Sequence, residues 1–274
     1  MFRFKNSNSL MLSFLALILL IQNDLTASER RFSYTYETNV LPKGLQEIEV
    51  WNTSRIARSY FFRRIDQRIE YEIGLGNNLQ AAFYINQTNE LKDDNGTTAL
   101  GSISRKTNLG FSNELKYKIF DNVADPIGFA IYGEYTFYPH ETEIEAKLLF
   151  DKKFDDFLIA LNFVYEKENK FDFKNGLEIN TTEIFYEADF GTVYYLNPQF
   201  TIGMEVVNKN SIVNSAIDKS VLFAGPTISF STPNFWVVAS YLPQLKAFKG
   251  ATINNLNLSS YEKSYARILF SFEL

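Results

Sequence analysis

The chain has no cysteine among its 274 residues, which excludes disulfides and any lipid anchor on a cysteine, whatever the compartment. It has one histidine, His140, so a histidine-based metal set or a Ser-His dyad has almost nothing to draw on. Beyond Ile21 no apolar run approaches the roughly 20 residues that a spanning helix needs. Heptads, low-complexity tracts and repeats of fixed length are also missing. A basic excess is lacking: 27 Lys and Arg stand against 32 Asp and Glu. That argues against a nucleic-acid partner, which wants a basic face.

What the chain has is aromatics and charge together. Aromatic residues make up 16 % and charged residues 22 %, with 26 Phe and 16 Tyr. Without long apolar runs, such a chain can bury its apolar side chains only by alternating them with polar ones. At the start, Arg3 and Lys5 precede an apolar run from Leu10 to Ile21, and small residues Thr26, Ala27 and Ser28 follow. This order is that of a secretory signal peptide over residues 1–28, cleaved near Ala27 or Ser28. Its removal leaves 25 basic and 31 acidic residues, a net charge of −6.

Extended segments recur from residue 45 onward. Twelve are expected: 45–54, 61–74, 79–88, 106–119, 127–138, 142–151, 157–167, 179–194, 199–207, 220–231, 234–243 and 263–274. Leu79, Ala81, Phe83 and Ile85 share one face of the third, and Phe157, Ile159, Leu161, Phe163 and Tyr165 one face of the seventh. In the last, Ile268, Phe270, Phe272 and Leu274 share a face, with Arg267, Ser271, Glu273 and also Leu269 opposite. Short turns follow the even strands, as at Gly74–Asn78 and Tyr195–Pro198. Longer connections follow most odd ones: Asn89–Arg105, Glu168–Glu178, Asn208–Lys219 and Gln244–Glu262. Aromatics such as Tyr71, Tyr117, Tyr138, Phe150, Phe200 and Phe235 fall near strand ends, as interfacial girdles require. Pro226, inside the tenth strand, predicts a bulge or register shift.

Together these features predict an all-β fold: a single antiparallel transmembrane β-barrel of about 12 strands over residues 45–274. A periplasmic N-terminal segment is expected at 29–44, with both termini periplasmic and the barrel in a Gram-negative-type outer membrane. The expected partners are the lipid bilayer and the outer-membrane assembly machinery, with no cofactor, no nucleic acid and an unidentified small solute. Alternation alone leaves a secreted soluble barrel open, because period 2 does not say which face looks inward.

The segment Arg31-Phe-Ser-Tyr-Thr-Tyr-Glu, the Pro42-Lys43-Gly44 turn and the Glu-rich first strand with its Trp51 resemble the opening of a family of uncharacterised outer-membrane barrels. Residues Glu70 to Tyr84 are similar to that family's first hairpin. The resemblance implies location and fold, and no activity.

Chemical motifs are few. His140 has no Gly-x-Ser-x-Gly elbow to serve, and Glu141, Glu143 and Glu145 beside it read as strand residues. Asp93-Asp94-Asn95-Gly96 fails as a calcium loop, since Leu91 and Ser102 occupy the required acidic positions. No enzyme activity is expected. If apolar faces meet lipid, the residues left to line the lumen include Arg64, Asp66, Arg68, Glu70 and Glu72 on strand 2, and Glu114 and Lys116 on strand 4. Further along come Glu134, then Glu143, Glu145 and Lys147, then Glu183, Glu187 and Asp189, and finally Arg267. With Glu47, Glu49, Glu166, Glu205, Glu273 and Lys118 the inward set holds 15 acidic and 6 basic residues. Glu47 is a possible partner for Arg68. So many carboxylates need water or ion pairs. They suit a narrow passive channel for small polar or cationic solutes; the alternative is a plugged barrel that binds partners through its loops.

Overall fold

The computed structural model describes residues 30–93, 103–174 and 177–274. The expected signal segment, and the Asp93–Gly96 turn from Asp94 onward, lie outside the described residues.

Alternation becomes twelve antiparallel strands that close on themselves. They are β1 (Gln46–Ile56), β2 (Phe62–Gly76), β3 (Leu79–Asp93), β4 (Ile103–Phe120), β5 (Gly128–Tyr138) and β6 (Glu141–Phe154), then β7 (Phe157–Lys174), β8 (Leu177–Tyr195), β9 (Phe200–Val213), β10 (Ala216–Thr232), β11 (Phe235–Lys249) and β12 (Ser264–Glu273). Closure is made by β1 and β12, which pair from Glu47↔Glu273 to Ile56↔Ser264. A closed sheet has no edge, so every strand finds two neighbours.

The faces are inverted relative to a soluble barrel. Phe83, Phe111, Leu115, Phe137, Phe163, Met204 and Ile228 are exposed on the outside, while Glu49, Glu70, Asn162, Thr227 and Ser229 are buried inside. An apolar exterior around a polar interior is the arrangement of a barrel in lipid, and it removes the soluble alternative. Around the end that carries β1's start and β12's finish, here the proximal end, rings pack in sequence: Phe120–Phe129–Phe150, Phe157–Tyr194, Phe200–Phe230 and Phe235–Phe272. This is the girdle the strand-end aromatics predicted, except that Tyr138 turns inward to the cavity described below.

At the opposite, distal end the structure corrects the loops. Residues 168–174 and 177–178 continue β7 and β8 as a paired hairpin to Lys174↔Leu177. Asn214 and Ser215, placed by sequence in the middle of a loop, form a two-residue turn with positive φ (51° and 62°) between β9 and β10. Asn-led turns of this hand match strand twist, so the ladder runs to its tip. Of the expected long loops, 250–263 folds inward: the Gln244 side chain accepts from Asn257 N at 2.6 Å and donates to Glu262 O at 3.0 Å. At Pro226 the ladder with β11 is broken, with no partner for 224–226 and register shifts at Ser220/Val221 and Leu222/Phe223.

Candidate functional site

The interior is organised by the segment before β1. Phe32 to Thr38 and Leu41 are buried inside the barrel, with Phe32, Ser33 and Thr38 fully enclosed, and Arg30, Arg31, Asn39 and Val40 half-buried. Within the N-terminal segment expected at 29–44, this stretch fills the lumen as a plug. Its side chains alternate, and each of its aromatics completes a different apolar patch on the inner wall. Phe32 packs with Leu158, Ala160 and Val193; Tyr34 with Val207, Phe223, Leu242 and Tyr265; Tyr36 with Trp51, Tyr132, Leu149, Trp236 and Leu269. Leu269, the odd apolar residue on the polar face of β12, was the sequence signal of an inner surface waiting for a partner.

The plug's backbone is satisfied by wall side chains rather than by a strand. Glu205 accepts N–H from Ser33 (2.9 Å), Tyr34 (2.7 Å) and Thr35 (2.9 Å). Asn162 accepts from Tyr36 N at 2.6 Å and donates to Tyr36 O at 2.9 Å. Asp151 takes Thr38 N and Oγ1, and Gln80 takes Leu41 N. Bonds from successive N–H groups to one carboxylate form an anion nest, and charge-assisted bonds of this type are the stronger ones. Two rings are also held by cations. Arg267 lies 3.6 Å above Tyr34, and Tyr36 has Arg30 at 4.1 Å and Lys147 at 3.9 Å. Gly191 leaves the room this needs, since a Cβ there would stand 2.6 Å from the Phe32 ring.

Above the plug, toward the distal end, two cavities of about 330 and 190 Å³ share Trp51, Arg55, Arg68, Glu143, Glu166, Glu187, Lys209 and Arg267. Tyr34 and Tyr36 line the inner one. Below, a space of about 20 Å³ is lined by Tyr36, Arg30, Glu49, Glu72, Glu114 and Lys116. The plug thus stands between a roomy distal vestibule and a tight proximal wall.

Of the residues expected in the lumen, Arg64, Asp66, Arg68, Glu143, Glu187 and Arg267 line the larger cavity. Glu134, Glu145, Lys147 and Asp189 line the inner one. Glu72, Glu114 and Lys116 lie below the plug, with Glu70 buried in the wall beside them. Glu183 lines none of these spaces and pairs with Lys170 at 2.5 Å near the distal hairpin. The Glu47–Arg68 pairing does not form: Glu47 stands opposite Glu72, and Arg68 reaches Glu134 at 3.1 Å.

The charges are unevenly spread. The two upper cavities present 9 acidic and 7 basic side chains, while much of the expected acidic excess lies below the plug in Glu47, Glu49, Glu70, Glu72 and Glu114. Arg55, Lys209 and Glu168 join the lining because β1, β9 and β7 run further than expected, Glu262 because 250–263 folds inward, and Arg58 reaches it from the β1–β2 connection. Arginines Arg55, Arg64, Arg68 and Arg267 cluster on β12, β1 and β2, while Glu143, Glu145, Glu166, Glu168, Glu187 and Asp189 occupy β6, β7 and β8. In a ring of twelve, β7 is opposite β1. A basic wall thus faces an acidic one, with Asp66 set between Arg55 and Arg64 at 2.5 Å from each.

The barrel is similar to an outer-membrane channel from Pseudomonas putida F1 (TM-score 0.60, 11 % identity, covering 86 % of this chain and 98 % of that one). It is also similar to the NanC porin (0.54, 14 %, 83 % and 100 %) and to the translocator domain of the autotransporter NalP from Neisseria meningitidis (0.54, 9 %, 86 % and 91 %). At these identities the likeness is one of fold. No curated protein matches in sequence. A family model described as a family of unknown function (DUF6662) matches residues 24–274, and the chain belongs to that family.

Proposed function

We propose that this DUF6662 member is an outer-membrane channel for small polar solutes, held closed by its own N-terminal segment and favouring solutes that carry both charge signs. The observation that carries the reading is the distal vestibule, where an arginine wall faces a carboxylate wall above a floor of Tyr34 and Tyr36. A field directed across such a space orients a dipolar solute, which meets both walls favourably, whereas a purely anionic or cationic one is drawn to one wall and repelled by the other. Passage needs the plug to shift, and the plug is tied to the wall by a few separate side-chain hydrogen bonds rather than by a continuous strand ladder. The named neighbours support a channel-like barrel and leave the solute open. On this reading the leader at 1–28 is removed in transit and the assembly machinery closes the barrel. Both termini then face the periplasm, and Arg64, Arg68, Glu143, Glu145, Lys147, Glu187, Asp189 and Arg267 line the solute path.

Planar-bilayer recording and liposome swelling test this, using the mature protein and a Glu205→Ala/Asn162→Ala variant that frees the plug. Expected are small or rare openings for the mature protein, larger ones for the variant, and faster entry of zwitterions than of anions of equal size. A variant that never conducts, with its plug shown to be released by protease access, overturns the channel. Equal entry of zwitterions and anions overturns the charge preference. The plugged-barrel reading, in which the vestibule is a surface binding pocket, gains from the first of these outcomes.

A further inference from the structure

Below the plug, five carboxylates meet in the inner wall of β1, β2 and β4: Glu47, Glu49, Glu70, Glu72 and Glu114. Register forces the meeting. Glu47 stands opposite Glu72, Glu49 opposite Glu70, and Glu72 reaches Glu114 across Ala82. Like charges directly opposite each other destabilise a sheet, so something must offset them. The cations placed against the group are Arg30, 3.8 Å from Glu49, and Lys116 in the same small cavity; Arg68 also faces Glu49 and Glu70 but is paired with Glu134 at 3.1 Å. Five carboxylates against two cations leave an excess of three negative charges.

Three of these side chains are unsatisfied. Glu47, Glu70 and Glu114 are 1 %, 1 % and 3 % exposed, and one oxygen of each (Oε1 of Glu47, Oε2 of Glu70 and Glu114) is buried without a hydrogen-bond partner. Oxygens of Glu70, Glu72 and Glu114 all lie within 4.8 Å of one another. Glu72 Oε2 is steadied by a bond from Gln80 Nε2 at 2.8 Å. The adjoining space of about 20 Å³ has room for about one water or ion.

We propose that Glu70, Glu72 and Glu114 form a buried site for a hard divalent cation, calcium. The donors are all oxygens, without nitrogen or sulfur, which selects hard ions over zinc or copper. Calcium accepts about six to eight oxygens in flexible geometry with mono- or bidentate carboxylates, while magnesium demands a near-ideal octahedron, so three carboxylates fixed by strand register suit calcium better. A divalent ion cuts the local excess from three charges to one and satisfies two of the three stranded oxygens, those of Glu70 and Glu114. The site lies in the wall below the plug and does not depend on the channel reading.

Calcium titration of the folded, chelator-washed full barrel tests it, by calorimetry and by terbium luminescence, with heat stability as a second readout. Saturable binding that raises the melting temperature is expected, weaker for magnesium. The Glu114→Gln and Glu70→Gln single variants should each weaken it by more than about tenfold, because ligand charge count sets affinity at such sites. Glu141→Gln, at the separate distal cluster, should leave it unchanged. No saturable binding by the native barrel overturns the site, and means that the carboxyls share protons instead. Binding that survives both single variants but is lost in Glu141→Gln places the ion at the distal rim and equally overturns it. Should a variant fail to fold, the native titration alone still decides between ion and shared protons.

Discussion

The carboxylate of Glu205, on β9, accepts the backbone N–H of Tyr34 at 2.7 Å across 171 residues of sequence. Flanking N–H groups of Ser33 and Thr35 bind the same carboxylate, so one side chain carries much of the plug's attachment. Hydrogen bonds to a charged group contribute about 1.5–3 kcal/mol each. Glu205→Ala should therefore loosen Arg30–Thr38 by several such bonds while leaving the barrel folded. The check is protease cleavage within 30–38 in the intact barrel: absent in the native protein, rapid in the variant. A variant as protected as the native protein would mean that the aromatic contacts alone hold the plug.

Neighbouring residues on β7 separate the two faces. Phe163 is 49 % exposed on the outer surface, and Asn162 is fully buried against the plug. A charge at a lipid-facing midplane site costs about 2–4 kcal/mol. Phe163→Arg should reduce assembly into membranes, measured by heat-modifiable gel mobility. Asn162→Ala should assemble normally and instead increase plug mobility. The reverse pattern would mean that the apolar face does not meet lipid.

Acidification should open the distal connection 250–263. Burial pushes Glu262 up, but Arg55 and Arg58 outweigh it and hold the carboxyl below its ordinary range. Arg58 Nη2 lies 2.6 Å from Glu262 Oε1. A depressed carboxyl contributes stability that is present above the ordinary glutamate value, about 4.3, and is lost as pH falls through the lower folded value. Digestion by an acid protease should thus spare this segment near pH 5 and attack it increasingly below about pH 4. Glu262→Gln should be attacked alike at every pH. A native segment indifferent to pH would place its stability elsewhere.

Closure of the barrel should fail without its last residues. Phe272 pairs with Ile48 and packs its ring 5.1 Å from Phe235, and Leu274 N donates to Gln46 O at 2.9 Å. Deleting 272–274 strips partners from β1 and β11, and lipid cannot replace them. The truncated chain should accumulate unfolded or be degraded, read by its steady-state level and gel mobility. A truncated chain that folds at the native level would show that the other positions of the β1–β12 ladder suffice.

The sequence by itself determined the strand count, the apolar exterior rows such as Ile268, Phe270 and Phe272, and the proximal turns. These depend on period-2 alternation and turn chemistry, which are properties of neighbouring residues. The distal hairpins were harder to read, since Asn214-Ser215 turns tightly where a polar stretch reads equally well as a loop. Only the tertiary structure decided what fills the interior. Tyr36 meets Asn162 across 126 residues, and Ser33 meets Ser240 across 207. No local pattern encodes such meetings: a short alternating segment such as Phe32-Ser33-Tyr34-Thr35-Tyr36 has the same periodicity whether it hangs free or crosses a lumen. The same holds for the charges. Sequence supplied the carboxylates, but ring closure set Arg55, Arg68 and Arg267 across from Glu143, Glu166 and Glu187, and stacked Glu72 beside Glu70 and Glu114. Which charges cancel, and which remain in excess, is fixed by strand register, and register is a property of the closed sheet.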